Sequence, residues 1–267
     1  MISFLFYILG VALGTTVFHR SLYQTGDIDE FGEIFHNGNN EVTKKSNYFY
    51  YIKNILKGSI NYENEIDIST ACTNFLDYIL SLSDKEYVLI DVKYNSWHHF
   101  NHVWQDTFKK TILFTALENK NAIFIHMVRM NIFAQFISIK VANKTGKWHY
   151  KNNDDTKIED FKIDLSPQEA FIFMENSSSN SYLFRKFLKN NKNSIELIYE
   201  HTYDQNGISD YAINKLEQYI HKNILDKIYV PMKKTPMNLK EIVNNKTELI
   251  EFFSNKKFEN LVGITLL

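Results

Sequence analysis

Cysteine is nearly missing from this chain: Cys72 is the only one in 267 residues. That excludes an internal disulfide framework and a cysteine-based zinc cluster. The neighbours Ala71, Phe75 and Leu76 mark Cys72 as a small buried hydrophobe without a chemical role. Net charge is missing too. Thirty basic residues against 31 acidic ones leave −1, so no global field draws the protein to nucleic acid or to an anionic membrane, and any anion site must be local. A long hydrophobic run is also absent. The apolar stretch over residues 2–17 is shorter than the roughly 20 residues a spanning helix needs. No basic residue precedes it, and Gly10, Gly14, Thr15 and Thr16 interrupt it. It reads as a buried parallel strand running into a glycine turn rather than as a signal peptide or anchor. A soluble, cytoplasmic protein without stable membrane insertion is expected, with a membrane-anchored form as the alternative.

What is present suits one α/β domain over residues 1–267. The chain is 44% hydrophobic and 15% aromatic, enough for a substantial core. Four short apolar runs read as core strands: 3–9, 87–92, 122–128 and 195–199. Between them, residues 131–143 place Phe133, Phe136, Ile137 and Val141 on one helical face, and 210–223 do the same with Ile213, Leu216, Ile220 and Ile224. Ser166-Pro167-Gln168-Glu169 is a capping box with proline at the first helical position, opening a helix to about Leu188. Asn238 and Glu241 repeat that spacing ahead of a short C-terminal helix. Polar segments 37–47 and 151–160 read as surface loops, the first either a lid over a site at the strand ends or a plain solvated connection. Strands alternating with helices imply a mostly parallel central sheet flanked by helices.

The first strand leads through Gly10 and Gly14 into Thr15 and Thr16, and residues 17–24 continue with helical character. In open α/β sheets such a turn is where backbone amides and a helix N-terminus meet a phosphate. Three residues separate the glycines and Thr15 follows, whereas a Walker loop has four and then lysine. An ordinary ATP or GTP hydrolase is therefore not expected, and a kinase-like phosphotransferase lacks its lysine.

The downstream residues Gly14-Thr15-Thr16-Val17-Phe18-His19-Arg20, Gly26-Asp27 and Phe31-Gly32-Glu33-Ile34-Phe35 resemble the start of sulfotransferases, especially the bacterial carbohydrate and trehalose-type enzymes. Arg129-Met130-Asn131, Ser138 and Thr145-Gly146-Lys147-Trp148 resemble that family's arginine turn, helix serine and closing Thr-Gly-X-Trp. Tyr199-Glu200 resembles its Tyr-Glu element and carries a structural expectation. The resemblance implies a P-loop-type fold and a loop that holds the 5′ end of 3′-phosphoadenosine 5′-phosphosulfate (PAPS), using Gly14, Thr15 and Thr16. It implies that Arg129 and Ser138 bind the donor's 3′-phosphate and that Lys233 and Lys234 close over the nucleotide, unless they are simply exposed lysines. Glu33 matches the family's glutamate base and Lys93 its lysine, with His98 as a further base or acceptor contact. This sequence departs from the family at Val11, Ala12 and Leu13, where the proline, basic residue and serine stand, and at Met130, where relatives place an arginine. His19 and Arg20 are either substitutes for the missing cation or structural.

The resemblance implies sulfuryl transfer from PAPS to a hydroxyl or amine of a carbohydrate, glycolipid or small metabolite. The alternative is a catalytically impaired binding protein of the same fold. Residues His98, His99 and His102 invite a metal reading, but no carboxylate-histidine ligand pattern accompanies them, and no metal is expected. Tyr94, Trp97 and Trp104 suit either stacking on a sugar ring or core packing. The expected partner is a small-molecule or carbohydrate acceptor. A homodimer is compatible with the sequence, and nucleic acid is not expected.

Overall fold

A computed structural model describes the chain apart from residues 1–2, 10–14, 39, 102–108, 147–160, 205–206 and 229–238. The described part is a mixed α/β structure. Its elements are β1 (Ser3–Leu9), α1 (Thr15–Tyr23), β2 (Ile28–Glu33), α2 (Tyr48–Asn54), α3 (Glu65–Ser81) and β3 (Tyr87–Lys93). A 3₁₀ helix (Tyr94–Phe100), α4 (Ile112–Asn119), β4 (Ile123–Val128), α5 (Ile132–Thr145), α6 (Pro167–Leu188) and β5 (Ser194–Ile198) follow. The C-terminal part is helical: α7 (Tyr199–Thr202), α8 (Asp210–Leu216), α9 (Lys222–Leu225), α10 (Leu239–Ile242), α11 (Lys246–Phe253) and α12 (Glu259–Leu266).

The strands form one five-stranded sheet in the order β2-β3-β1-β4-β5, with every pairing parallel. Side-chain alternation along β3 explains why both faces are covered. Val88, Ile90 and Val92 enter a core with α2, α3, α4 and the end of α6, while Tyr87 and Leu89 enter another with Phe18 and Leu22 of α1 and with α8 and α9. A third core ties α5 and α6 to the C-terminal helices through Phe133, Ala170, Leu249 and Phe253.

Four of the five strands coincide with the apolar runs. β2 does not: its sequence Ile-Asp-Glu-Phe-Gly-Glu carries three carboxylates, and every residue after Ile28 is only half-buried. The serine half of the capping box is formed, with the Ser166 hydroxyl accepting from the Glu169 amide at 3.3 Å, while the Glu169 carboxylate pairs with Lys140. Residues 210–223 are not one helix; α8 stops at Leu216, and Ile220 and Ile224 reach the same core from the turn and from α9. β5 ends at Ile198, so Tyr199 opens a helical turn instead of closing a strand. Cys72 is fully buried within α3. No helix among the described residues is long and apolar enough to cross a membrane.

Candidate functional site at the carboxyl rim of the sheet

Strand order locates the site. β1 lies between β3 and β4, and it leads through α1 to β2 on one side while β4 leads on to β5 on the other. Neighbouring strands whose connections diverge leave a crevice at their carboxyl ends. The register puts the ends level: Leu9 lies beside Lys93 of β3 and beside Met127 of β4. Lys93 and Arg129 therefore stand on opposite sides of the carboxyl end of β1. Thr16 is half-buried in the first turn of α1. Gly14 lies outside the described residues, as do Lys233, Lys234, Trp104, His102, Trp148 and segment 151–160.

On the β2 side the structure brings two of the expected residues together. Asp91 and Lys93 are two apart on β3 and share a face, and the Lys93 ammonium donates to Asp91 Oδ2 at 2.6 Å. Glu33 Oε1 lies 3.3 Å from the same Nζ. Glu33 reaches this place through a bulge: Glu30 pairs with Leu89, Gly32 with Ile90 and Glu33 with Asp91, which leaves Phe31 as the extra residue. Gly32 makes the bulge with φ of 62°, a left-handed conformation that costs other residues more. Burial alone would lower the Lys93 pKa, but the charges of Asp91 and Glu33 outweigh it and raise it. Lys93 is a firm cation between two carboxylates, and the three groups sum to −1.

The other side has the opposite character. Arg129 leaves β4 with its guanidinium 4.7 Å from the ring centroid of Tyr199. Glu200 accepts from the amides of Met130 at 3.0 Å and Asn131 at 2.9 Å, and Asn131 Oδ1 caps α5. Tyr199-Glu200 thus has the structural role expected of it, holding the turn and stacking under Arg129. Burial works against the Arg129 charge, with Tyr199 and Glu200 opposing, and its buried Nε has no hydrogen-bond partner among the described residues. Arg129 lines a cleft of about 260 Å³ whose far wall is α6. Ser138 is not among the described residues that line it; its hydroxyl donates to the Ala134 carbonyl at 2.8 Å, one turn back.

From the wall of this cleft inward runs a chain of polar groups that sequence reasoning missed. The Tyr94 hydroxyl is 2.7 Å from His126 Nε2, His126 Nδ1 is 3.5 Å from Glu196 Oε2, and Arg185 donates to both Glu196 oxygens at 2.7 and 2.9 Å. Burial lowers the His126 pKa against the pull of Glu196. Burial would raise that of Glu196, but the nearby His126 and the hydrogen bonds from Arg185 bring it down to about 2. The available signal was weak: His126 sits inside an apolar strand, and Arg185 and Glu196 are eleven residues apart on different elements.

A second cleft, of about 420 Å³, opens where the 3₁₀ helix meets α2. Tyr48, Phe49, Tyr62, His98 and His99 line it. Its wall continues the β2 strand, since Phe35 stacks on His99 at 5.2 Å, two residues beyond Glu33. Burial, then the neighbouring His98, pushes His99 down to about 4, so it is neutral at pH 7. His98 is exposed on this rim. Trp97 is core, packed on Phe114 and Phe184, and Tyr94 stacks on Phe184 at 5.0 Å instead of standing open to a sugar. His19 is buried 3.3 Å from Glu30, which favours the structural reading, and Arg20 is exposed.

No protein-family model matches this chain, and no curated protein does.

Proposed function

We propose that the chain is a sulfotransferase of P-loop type, moving a sulfuryl group from PAPS to a hydroxyl or amine of an acceptor. The supporting observation is that Lys93 and Arg129 flank the carboxyl end of β1, at the point where the sheet's connections diverge. That spacing suits a donor with an anionic group at each end. The residues fit the donor in chemistry: Thr15 and Thr16 open α1 beneath the 5′ end, and Arg129 faces the 3′-phosphate.

Transfer needs a base on the acceptor and positive charge at the sulfuryl oxygens. Glu33 is the base in this reading. It is 42% exposed, open to an acceptor hydroxyl, and the adjacent Lys93 supplies the cation. The aromatic cleft beyond Phe35 is the acceptor's place: apolar ring faces with histidine and tyrosine at the edge suit a sugar or another neutral hydroxyl compound. His98 contacts the acceptor from that rim.

One observation favours the second reading, a binding protein without turnover. Lys93 is already held by two carboxylates, and a net −1 cluster opposes a phosphosulfate until Glu33 or Asp91 yields. Titration calorimetry with adenosine 3′,5′-bisphosphate, followed by transfer assays with labelled PAPS over an acceptor panel, separates the readings. Saturable binding and transfer are expected. Binding without transfer leaves the binding protein, and an absence of binding sinks the enzyme.

A further inference from the structure

The cleft beside β4 has a second wall that the donor reading leaves unassigned. α6 presents Ser177, Ser178 and Ser181 to it, spaced so that one flank of the helix carries all three hydroxyls. Serine is an indifferent helix former in mid-helix, and here it forms a ridge of small donors opposite Arg129. One turn on, Arg185 enters the same cleft. A guanidinium has five N–H donors, and among the described residues Arg185 gives two of them to Glu196. Neither Glu196 nor Glu200 is among the described residues that line the cleft. Its described lining therefore carries two guanidinium groups and three serine hydroxyls of α6 and no carboxylate.

We infer that this cleft is a phosphomonoester site, with Arg129 and Arg185 as paired cations and Ser177 and Ser178 as hydroxyl donors. Tetrahedral dianions match a pair of planar forks with small donors between them. The Glu196 bridge to His126 positions Arg185 by fixing one edge of its guanidinium. At about 260 Å³ the cleft takes a phosphate with the sugar that carries it. Exposed Met130 and Tyr182 flank its mouth. The inference rests on the donor reading only for the identity of the ester; the site itself rests on the lining residues.

Calorimetric titration of three probes tests it: adenosine 3′,5′-bisphosphate, adenosine 5′-monophosphate and inorganic phosphate. Each is titrated into the wild-type chain, Arg185→Met and the double variant Ser177→Ala/Ser178→Ala. Loss of a charge-assisted contact weakens the bisphosphate roughly 10- to 100-fold in Arg185→Met. The double serine variant, which leaves the core and Glu196 untouched, loses roughly tenfold. Binding of the 5′-monophosphate is unchanged in both. Equal bisphosphate affinity in wild type and both variants overturns the site and leaves the donor reading standing. Wild-type binding of inorganic phosphate that the variants lose, with no preference for the bisphosphate, keeps the site and overturns PAPS as its ligand. No binding of any probe overturns both.

Discussion

The two halves of the carboxyl rim manage charge in opposite ways. On the β2–β3 side, one lysine is enclosed by Asp91 and Glu33, and its charge is spent within the protein. On the β4 side, Arg129 stands against a tyrosine ring with a buried Nε that nothing described satisfies, and Arg185 is held along one edge of its fork by Glu196. A buried cation with partners is a structural element as well as a chemical one. A cation held by a ring face or by one edge of its fork is the arrangement expected where a ligand completes the site.

The sharpest way to break this contrast is through Glu33. If it is the base, Glu33→Gln lowers transfer to the acceptor by roughly 10²- to 10⁴-fold while bisphosphate affinity and melting temperature stay near wild type, since the side chain is 42% exposed. Unchanged turnover in a transfer assay would remove Glu33 from the chemistry and leave it as a surface partner of Lys93.

Stability gives the next largest effect, and it should differ between the two sides. Lys93→Met leaves Asp91, 2% exposed, as an uncompensated buried charge. That costs about 3–5 kcal/mol in urea unfolding. Arg129→Met removes a half-buried charge whose buried Nε has no hydrogen-bond partner among the described residues and costs no more than about 1 kcal/mol. Equal losses would mean that the two rims are alike and that the charge argument fails.

Much of this rim was legible beforehand. Apolar runs mark β1, β3 and β4, because interior parallel strands carry continuous hydrophobic residues, and the edge strand β5 still shows through Ile195, Leu197 and Ile198. The other edge strand, β2, is hidden because it carries Asp29, Glu30 and Glu33. Glu33 and Lys93 were picked out singly by resemblance, but their contact depends on the bulge at Gly32, a long-range register that no local pattern encodes. The clustering of Arg185 and the α6 serines with Arg129 was invisible for a related reason: 56 residues of chain separate the two arginines, and only the packing of α6 over β4 joins them.

Acid should reveal which buried groups are kept neutral. His99 is held at about 4 against an ordinary 6.5, and His126 is lowered in the same direction. The unfolded chain therefore takes up protons first as pH falls. Stability is full above about 6.5 and declines down to about 4 for His99. Glu196, at about 2 against 4.5, contributes stability that is full above 4.5 and lost only below it. Unfolding in urea at pH 7, 6 and 5 isolates the histidines. His99→Phe, which keeps a ring against Phe35, should flatten that slope, and an unaltered slope would assign the loss to His126 alone.

The smallest effect tests how the closed side is built. Gly32 holds φ of 62° with open space where a Cβ would stand, so Gly32→Ala meets no clash and pays only the left-handed conformation, about 1–2 kcal/mol. Relief of that strain is available if β2 slips out of its bulge, which moves Glu33 away from its place opposite Asp91. The expected outcome is modest destabilisation together with a larger fractional loss of transfer than of bisphosphate binding, because the β4 side does not depend on β2. A loss of both in equal measure would show that the two halves of the rim are coupled through β1, and the contrast between them would then describe charge alone and not independent duties.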